Sequence, residues 1–386
     1  MGTDKLDFFE FFAGGGMARA GLGSDSWQCQ FANDFDQKKS KAYSKNWGGE
    51  ALVCEDVGKL KTSQLPGSPR LVWASFPCQD LSLAGGGAGL KGHRSGTFWP
   101  FWRLMSALIS EGRAPDIIAL ENVCGTLTSH GGKDFAEICN ALVQSGYFVG
   151  AIVIDAALFV PHSRPRLFVI GVREELVIPS RLVGDGALAI WHPKALRSAH
   201  DQLPTCVKER WLWWRLASPE LANIRFADLI EENPRSVTWH TPEQTAKLLS
   251  MMSTVNLAKV YHAKRSRLKM VGTVYKRTRF DIDGNKVQRA EVRFDDIAGC
   301  LRTPAGGSSR QLILVVDENE VRSRLISSRE TARLMGLPDT YALPENYNEA
   351  YHLTGDGVVV PVVRHLADQI FEPVLFAESK RLRAVA

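Results

Sequence analysis

"FFEFFAGGGMARAG", residues 8–21, decides how the rest of this chain is read. Aromatic residues flank Glu10 in a strand-like run, three glycines turn the chain, and Met17 opens a helical pattern. A strand, a glycine turn and a helix start together make a place where backbone N–H groups approach a ligand and the helix N-terminus favours an anionic group. A dinucleotide fingerprint needs G-x-G-x-x-G. Gly14 and Gly16 fit it, but Arg19 holds the sixth place, so the diphosphate reading is broken. A cofactor with a carboxylate and a ribose is left. Asp34, at the end of the next apolar run, is placed to accept ribose hydroxyls, and Asp56 in "VCEDVG" ends another strand. Either acid alone would read as a helix cap or a solvated loop residue; both at successive strand ends beside a glycine turn favour a nucleoside cofactor.

The alternation continues outward from that turn. Residues 6–12, 29–35, 70–76, 116–123, 148–156 and 166–172 read as strands, and 36–47, 97–109 and 133–146 have helical apolar spacing. This rhythm predicts an α/β fold with a mostly parallel sheet covered on both faces. After about residue 180 the rhythm is lost, and a helical pattern resumes near 327, where Ser327 and Glu330 are spaced as a capping box and Gly336 as a stop. The expected organisation is a first part of the main domain over 1–185, an insert over 186–325, and a return to the main domain over 326–386.

Composition limits the class of protein. Of 386 residues, 45% are hydrophobic and 23% charged, as in a folded globular chain. No apolar run reaches the length of a membrane span, and the N-terminus lacks the basic-then-apolar order of a secretion signal. Seven cysteines, with no CxxC spacing, argue against a disulfide framework or a zinc site, so no metal is expected and a reducing cytoplasm is. Net charge is only +5, yet residues 259–279 carry eight Lys or Arg and no acid. Such a run serves as a solvated face or as a nucleic-acid contact, and the missing carboxylates favour the second.

Three further positions suggest chemistry. Cys78 follows Pro77 at the end of an apolar run, where open α/β sheets place their ligands; an isolated cysteine is otherwise core filler. Glu121 ends "DIIALE" in the same way and is a candidate acid. Arg164 and Arg166, two apart at the start of a strand, would share a face of extended chain. A thiolate adding to C6 of a pyrimidine makes C5 electron-rich enough to take a methyl group, with an acid at N3 and a guanidinium at O2 stabilising the charge.

With these residues in view the chain resembles the cytosine-C5 DNA methyltransferase family. "FAGGG" is similar to its cofactor loop, "FPCQDLS" to its nucleophile loop, "ENV" to its acid motif and "RPR" to its Arg-x-Arg motif. "RETARLMGLPDTY" and "GDGVVVPVV" resemble its two C-terminal motifs. The resemblance implies a Rossmann-like S-adenosylmethionine-dependent methyltransferase domain with a smaller inserted target-recognition domain. It implies Cys78 as nucleophile, Glu121 at N3, and Arg166 with Arg164 at the pyrimidine. Phe12, Gly14, Gly16, Asp34, Phe35, Asp56, Val57, Pro77, Phe98, Asp356 and Val358 would hold S-adenosylmethionine. Gln79, Ser82 and Arg94 would manage a flipped base; Lys264, Arg265 and Arg267, with Thr303, Gly306 and Gly307, would meet DNA.

Double-stranded DNA is then the expected partner, with a cognate restriction endonuclease, for a monomer working in a bacterial or phage-infected cytoplasm. Three positions depart from the family pattern: Met17 stands for a glycine, His162 for a glutamine and Asp356 for an asparagine. Rival readings are a tRNA cytosine-5 methyltransferase of the same fold, a catalytically silent DNA-binding protein and a nicotinamide oxidoreductase. Arg19 counts against the last.

Overall fold

Six of the apolar runs become strands of one sheet in the computed structural model, which describes residues 5–77, 97–220, 224–281, 283–301 and 310–385. Cys78, Gln79, Ser82, Arg94, Thr303, Gly306 and Gly307 lie outside the described residues. The chain divides into two units.

The first unit comprises Met1–Asp155, Pro165–Glu220 and Val358–Ala386. Its strands are β1 (Leu6–Phe11), β2 (Trp27–Asp34), β3 (Leu52–Cys54), β4 (Leu71–Ala74), β5 (Ile117–Val123), β6 (Tyr147–Asp155) and β7 (Pro165–Arg173). They form a seven-stranded sheet in the order β3-β2-β1-β4-β5-β7-β6. β7 runs antiparallel to both its neighbours, and the other pairs are parallel. This is the mostly parallel α/β sheet that the rhythm predicts. Strands covered on both faces read as continuous apolar runs; β4, Leu-Val-Trp-Ala, is buried throughout.

Helices α1 (Met17–Leu22), α2 (Gln37–Trp47), α3 (Phe98–Ser110) and α4 (Lys133–Gln144) follow in chain order. α3 buries Phe98, Phe101, Trp102, Leu104, Met105 and Leu108, a stripe at helical spacing. It shares a core with Phe9, Phe11, Phe31, Val72, Ile118 and Leu120 of the sheet and with Phe135, Ile138 and Leu142 of α4.

Next come strands β8 (Val183–Gly184) and β9 (Trp213–Trp214) and helices α5 (Lys194–Asp201) and α6 (Thr205–Lys208). The break expected at 185/186 falls instead at 220/221, for a physical reason. β6 is an edge strand whose outer amides need partners. Val153 N–H donates to Trp191 O at 2.8 Å and Val149 N–H to Arg210 O at 2.9 Å, while Leu212 N–H returns a bond to Val149 O at 2.8 Å. Trp191 and Trp214 are fully buried there. Gly150 is glycine because a Cβ would strike Leu212 O and the Trp214 ring.

The second unit is Ala156–Arg164 with Leu221–Gly357. It contains α7 (Pro242–Ser250), α8 (Thr254–Arg265) and the antiparallel strands β10 (Met270–Phe280), β11 (Lys286–Arg293), β12 (Leu312–Asp317) and β13 (Glu320–Leu325), then α9 (Ser328–Leu334) and α10 (Tyr347–Asp356). The sheet order is β11-β10-β12-β13. β12 pairs with β10 only as far as Val274, so Tyr275–Phe280 and their β11 partners form a two-stranded arm. The expected capping box is present: Glu330 N–H donates to Ser327 Oγ at 3.1 Å and Ser327 N–H to Glu330 Oε2 at 2.7 Å. The same carboxylate pairs with Arg324 at 2.5 Å, both side chains fully buried. α9 and α10 pack in this unit, so the second break lies at 357/358, not 325/326.

The chain re-enters the first unit with α11 (Val360–Leu366) and α12 (Glu372–Val385). Gly21 of α1 faces α11 so closely that a Cβ would lie 2.7 Å from Val360 O. Arg364 of α11 donates to Leu22 O at the end of α1 and pairs with Glu372. No described helix is long and apolar enough to cross a membrane.

Candidate active site

After β1 the backbone turns through left-handed conformations at Phe12 (φ 55°), Gly14 (φ 56°) and Gly16 (φ 77°). For a non-glycine residue such as Phe12 this conformation costs about 1 kcal/mol or more. Two glycines in one turn do different work. A Cβ on Gly14 would meet nothing within 4 Å, so that side of the turn is open. A Cβ on Gly16 would strike the Trp47 indole and lie 2.9 Å from Tyr43 Cε2. Gly16 is therefore required by the packing of α2, whatever the turn binds.

Asp34 closes the turn from β2. Its Oδ2 accepts from Gly14 N–H at 2.8 Å and its Oδ1 from Asp36 N–H at 2.8 Å. The carboxyl is 6% exposed, and burial pushes its pKa up against the pull of Lys39 and these two amides. Phe35, next in sequence, is 67% exposed. Asp56, past the end of β3, is exposed and accepts from Gly58 N–H at 2.8 Å, whereas its neighbour Val57 is buried in the core. Phe98 is fully buried against Phe76 and Trp102, with centroids 5.4 and 5.9 Å away.

Beneath the turn lies a group that sequence reasoning passed over. Glu10 is 1% exposed; its Oε1 accepts from Arg19 N–H at 3.3 Å, in the first turn of α1. Burial raises this carboxyl to about 8. Arg19 turns outward from it, donating to the Tyr43 hydroxyl at 3.0 Å and lying 5.3 Å from the centre of the Trp47 ring. An acid between four phenylalanines was the available signal.

The second half of the site is where β4 and β5 leave the sheet. Glu121 points from β5 to Arg166 of β7, with Oε1 3.1 Å from Nε and side chains 8% and 16% exposed. Arg166 also donates to Pro165 O at 2.9 Å. Asn122, also missed, is 5% exposed and donates from Nδ2 to Phe76 O at 3.3 Å. Pro77, half-buried, is the last described residue before Cys78.

The profile of the family described as C-5 cytosine-specific DNA methylase matches residues 6–372. The chain belongs to this family. The methylase is 26% identical over 388 aligned residues to Type II methyltransferase M.HpaII of Haemophilus parainfluenzae, covering 96% of this chain and 90% of that one. With Type II methyltransferase M.HhaI of Haemophilus parahaemolyticus it shares 24% over 366 residues, 95% and 94% of the two chains. Its fold is similar to that of the Entamoeba histolytica methyltransferase EhMeth (TM-score 0.62, 16% identity, 96% and 99% covered). It is similar also to S. pombe Dnmt2 methyltransferase (TM-score 0.58, 18% identity, 96% and 99% covered). The methylase is thus an enzyme that transfers a methyl group from a donor to C5 of cytosine in DNA.

The two arginines that the spacing placed on one face of the methylase have different partners. Arg164 is 2% exposed and belongs to the second unit, where Nη2 donates to Gly355 O at 2.8 Å and Gly357 O at 2.7 Å. A guanidinium on the last carbonyls of α10 completes that helix end. The two-residue spacing suggested a shared face only on the assumption of one continuous strand, but β7 begins at Pro165. His162, the departure upstream, is fully buried: Nδ1 lies 3.2 Å from Leu334 O, and Leu301 N–H donates to Nε2 at 3.3 Å. It too joins segments of the second unit.

Asp356 is the exposed last residue of α10, and Val358 is buried at the return to the first unit. Lys264 and Arg265 end α8, and Arg267 follows it. Among the described residues no ion pair holds these three, whereas Arg277 and Arg279 of the arm share Glu291.

Proposed function

We propose that the methylase takes its methyl group from S-adenosylmethionine and places it on a cytosine turned out of duplex DNA, through a bond between Cys78 and C6 of the base. The observation that carries this reading is the Glu121–Arg166 pair at the exit of β5, beside the β4 chain that leads through Phe76 and Pro77 to Cys78.

The residues present suit the cofactor. Asp34 is a buried carboxylate with one amide on each oxygen, leaving lone pairs for a ribose diol, and burial raises its pKa. Gly14 presents an open backbone and Phe35 an exposed ring for an adenine face. Bound S-adenosylmethionine would supply an electrophilic methyl group. The chain's own groups do the rest. The Cys78 thiolate forms the S–C6 bond, and the C5=C6 π pair moves to C5, where it takes up the methyl group as the donor's S–CH3 bond breaks and its sulfur leaves as a neutral thioether. Glu121 holds a proton at N3 and Arg166 faces O2, so charge built up in the ring is stabilised as the thiolate adds. Loss of the C5 proton to a base returns that pair to the ring and breaks the C6–S bond.

Lys264, Arg265 and Arg267 would neutralise phosphates of the duplex. The Type II methyltransferases among its relatives favour a cognate restriction endonuclease as a partner. The test is a duplex with 5-fluorocytosine at target positions, where fluorine blocks release. Wild type with S-adenosylmethionine should form a covalent adduct that Cys78→Ser does not. Adduct formation by the serine variant, or transfer to tRNA but not duplex, would overturn the reading.

A further inference from the structure

We propose that Asn122 is a positioning residue that sets the register between the nucleophile's chain and the acid. The inference rests on the roles given above to Cys78 and Glu121. β4 and β5 pair in parallel with Ala74 opposite Leu120, and β4 ends there. On its other side β5 stays paired with β7 as far as Val123. Beyond Ala74 the carbonyl of Phe76 therefore has no backbone ladder from β5 to meet. Counting on in register, Phe76 falls opposite Asn122, and the Asn122 side chain supplies the missing donor: Nδ2–H bonds Phe76 O at 3.3 Å.

The orientation of this amide is fixed from its other end. Oδ1 accepts from Val123 N–H at 2.8 Å and from Thr126 Oγ1–H at 3.2 Å, with Thr126 fully buried. An oxygen facing two donors leaves the NH₂ group to face the carbonyl. The side chain thus extends the β4–β5 ladder past the strand end. It ties the backbone two residues before Cys78 to the residue after Glu121. The chain that leads to Cys78 is thus tied to the strand that carries Glu121, so a shift of about 1 Å there should cost on the order of a hundredfold in rate.

Asn122→Asp separates this role from simple packing. It keeps the shape and both acceptor bonds but sets a carboxylate against the Phe76 carbonyl. The experiment measures single-turnover adduct formation by the full chain on the 5-fluorocytosine duplex, with binding of S-adenosylmethionine and of DNA measured separately. The expected result at about pH 8.5 is a slowing of about a hundredfold, with both affinities within about threefold of wild type. The deficit should shrink as pH falls towards 6, because a protonated carboxyl regains a donor for the carbonyl. Slowing under about threefold, or a deficit that does not change with pH, overturns the proposal. Thr126→Val serves if the first variant does not fold: it removes one donor from Oδ1 and should slow the adduct severalfold, and an unchanged rate overturns the proposal equally. If wild type forms no adduct, the reading of Cys78 fails and this inference falls with it; if wild type reacts and both variants match it, only the inference fails.

Discussion

Nε of Arg166 lies 3.1 Å from Oε1 of Glu121, although 45 positions separate them in the chain. The antiparallel course of β7 makes the pair, since the residue entering β7 meets the end of β5. If Glu121 carries the N3 proton, Glu121→Gln keeps the shape and one donor but cannot yield a proton. Its single-turnover methylation should fall about a hundredfold, with DNA affinity unchanged. A loss below about threefold would assign Glu121 to the scaffold. Arg166→Lys should also slow the reaction, because an ammonium cannot present the fork geometry of a guanidinium.

Arg164 makes the opposite prediction. Its bonds to Gly355 O and Gly357 O are structural, so Arg164→Met should lower the unfolding free energy by about 3 kcal/mol, the scale of one or two charged hydrogen bonds. Denaturant unfolding measures this. The folded variant, assayed in single turnover at saturating duplex, should react within about threefold of wild type. Normal stability with a lost chemical step would return Arg164 to the base.

Glu10 should make stability depend on pH. Its folded pKa, about 8, lies above the ordinary carboxylate value of 4.5, so the folded state holds the proton more tightly than the unfolded chain. The stabilisation is fully present below about pH 4.5 and is lost as pH rises through about 8. Arg19 and the amides of Ala18 and Arg19 face the group and favour its charge, while Asp34, Cys29 and Tyr43 stand against it. Glu10→Gln should remove this slope and be the more stable protein above pH 8. Parallel unfolding curves for both proteins from pH 5 to 9 would show that the carboxyl does not titrate there.

Salt should report on the end of α8. Each phosphate contact contributes a log–log slope of about −0.9, so replacing Lys264, Arg265 and Arg267 by alanine should flatten the dependence of DNA affinity by up to about 2.7. Binding should weaken alike on every sequence. Arg277 and Arg279, already held by Glu291, should contribute less per residue. An unchanged slope would make this stretch a solvated surface.

The sheet was legible because its strands are buried on both faces and so read as apolar runs. β3, three residues long, was too short to register and showed only through Asp56 at its end. The direction of β7 leaves no mark on periodicity. Yet the nine residues Ala156–Arg164 are too few for a parallel crossover, and that count was available. Residues 186–220 were assigned to the insert because they lack βα rhythm. Partners for an edge strand need none, and Trp191, Arg210 and Leu212 fill that role from outside any strand. At the site, Asp34 and Glu121 were readable as acids at strand ends. Asn122 was not, because its work depends on which strand lies beside β5.

The route of the chain has a consequence for anyone who would exchange its second unit. Its second unit is not one stretch of sequence. The nine residues after Asp155 leave the first unit and return at Pro165, and they carry His162 and Arg164, on which Leu301, Leu334 and the end of α10 depend. A chimera exchanged only between residues 221 and 357 would pair a foreign second unit with the wrong linker, leaving donors and acceptors without mates inside its core. The portable cassette comprises two pieces of gene, and the smaller one ends a single codon before β7 begins, two before Arg166.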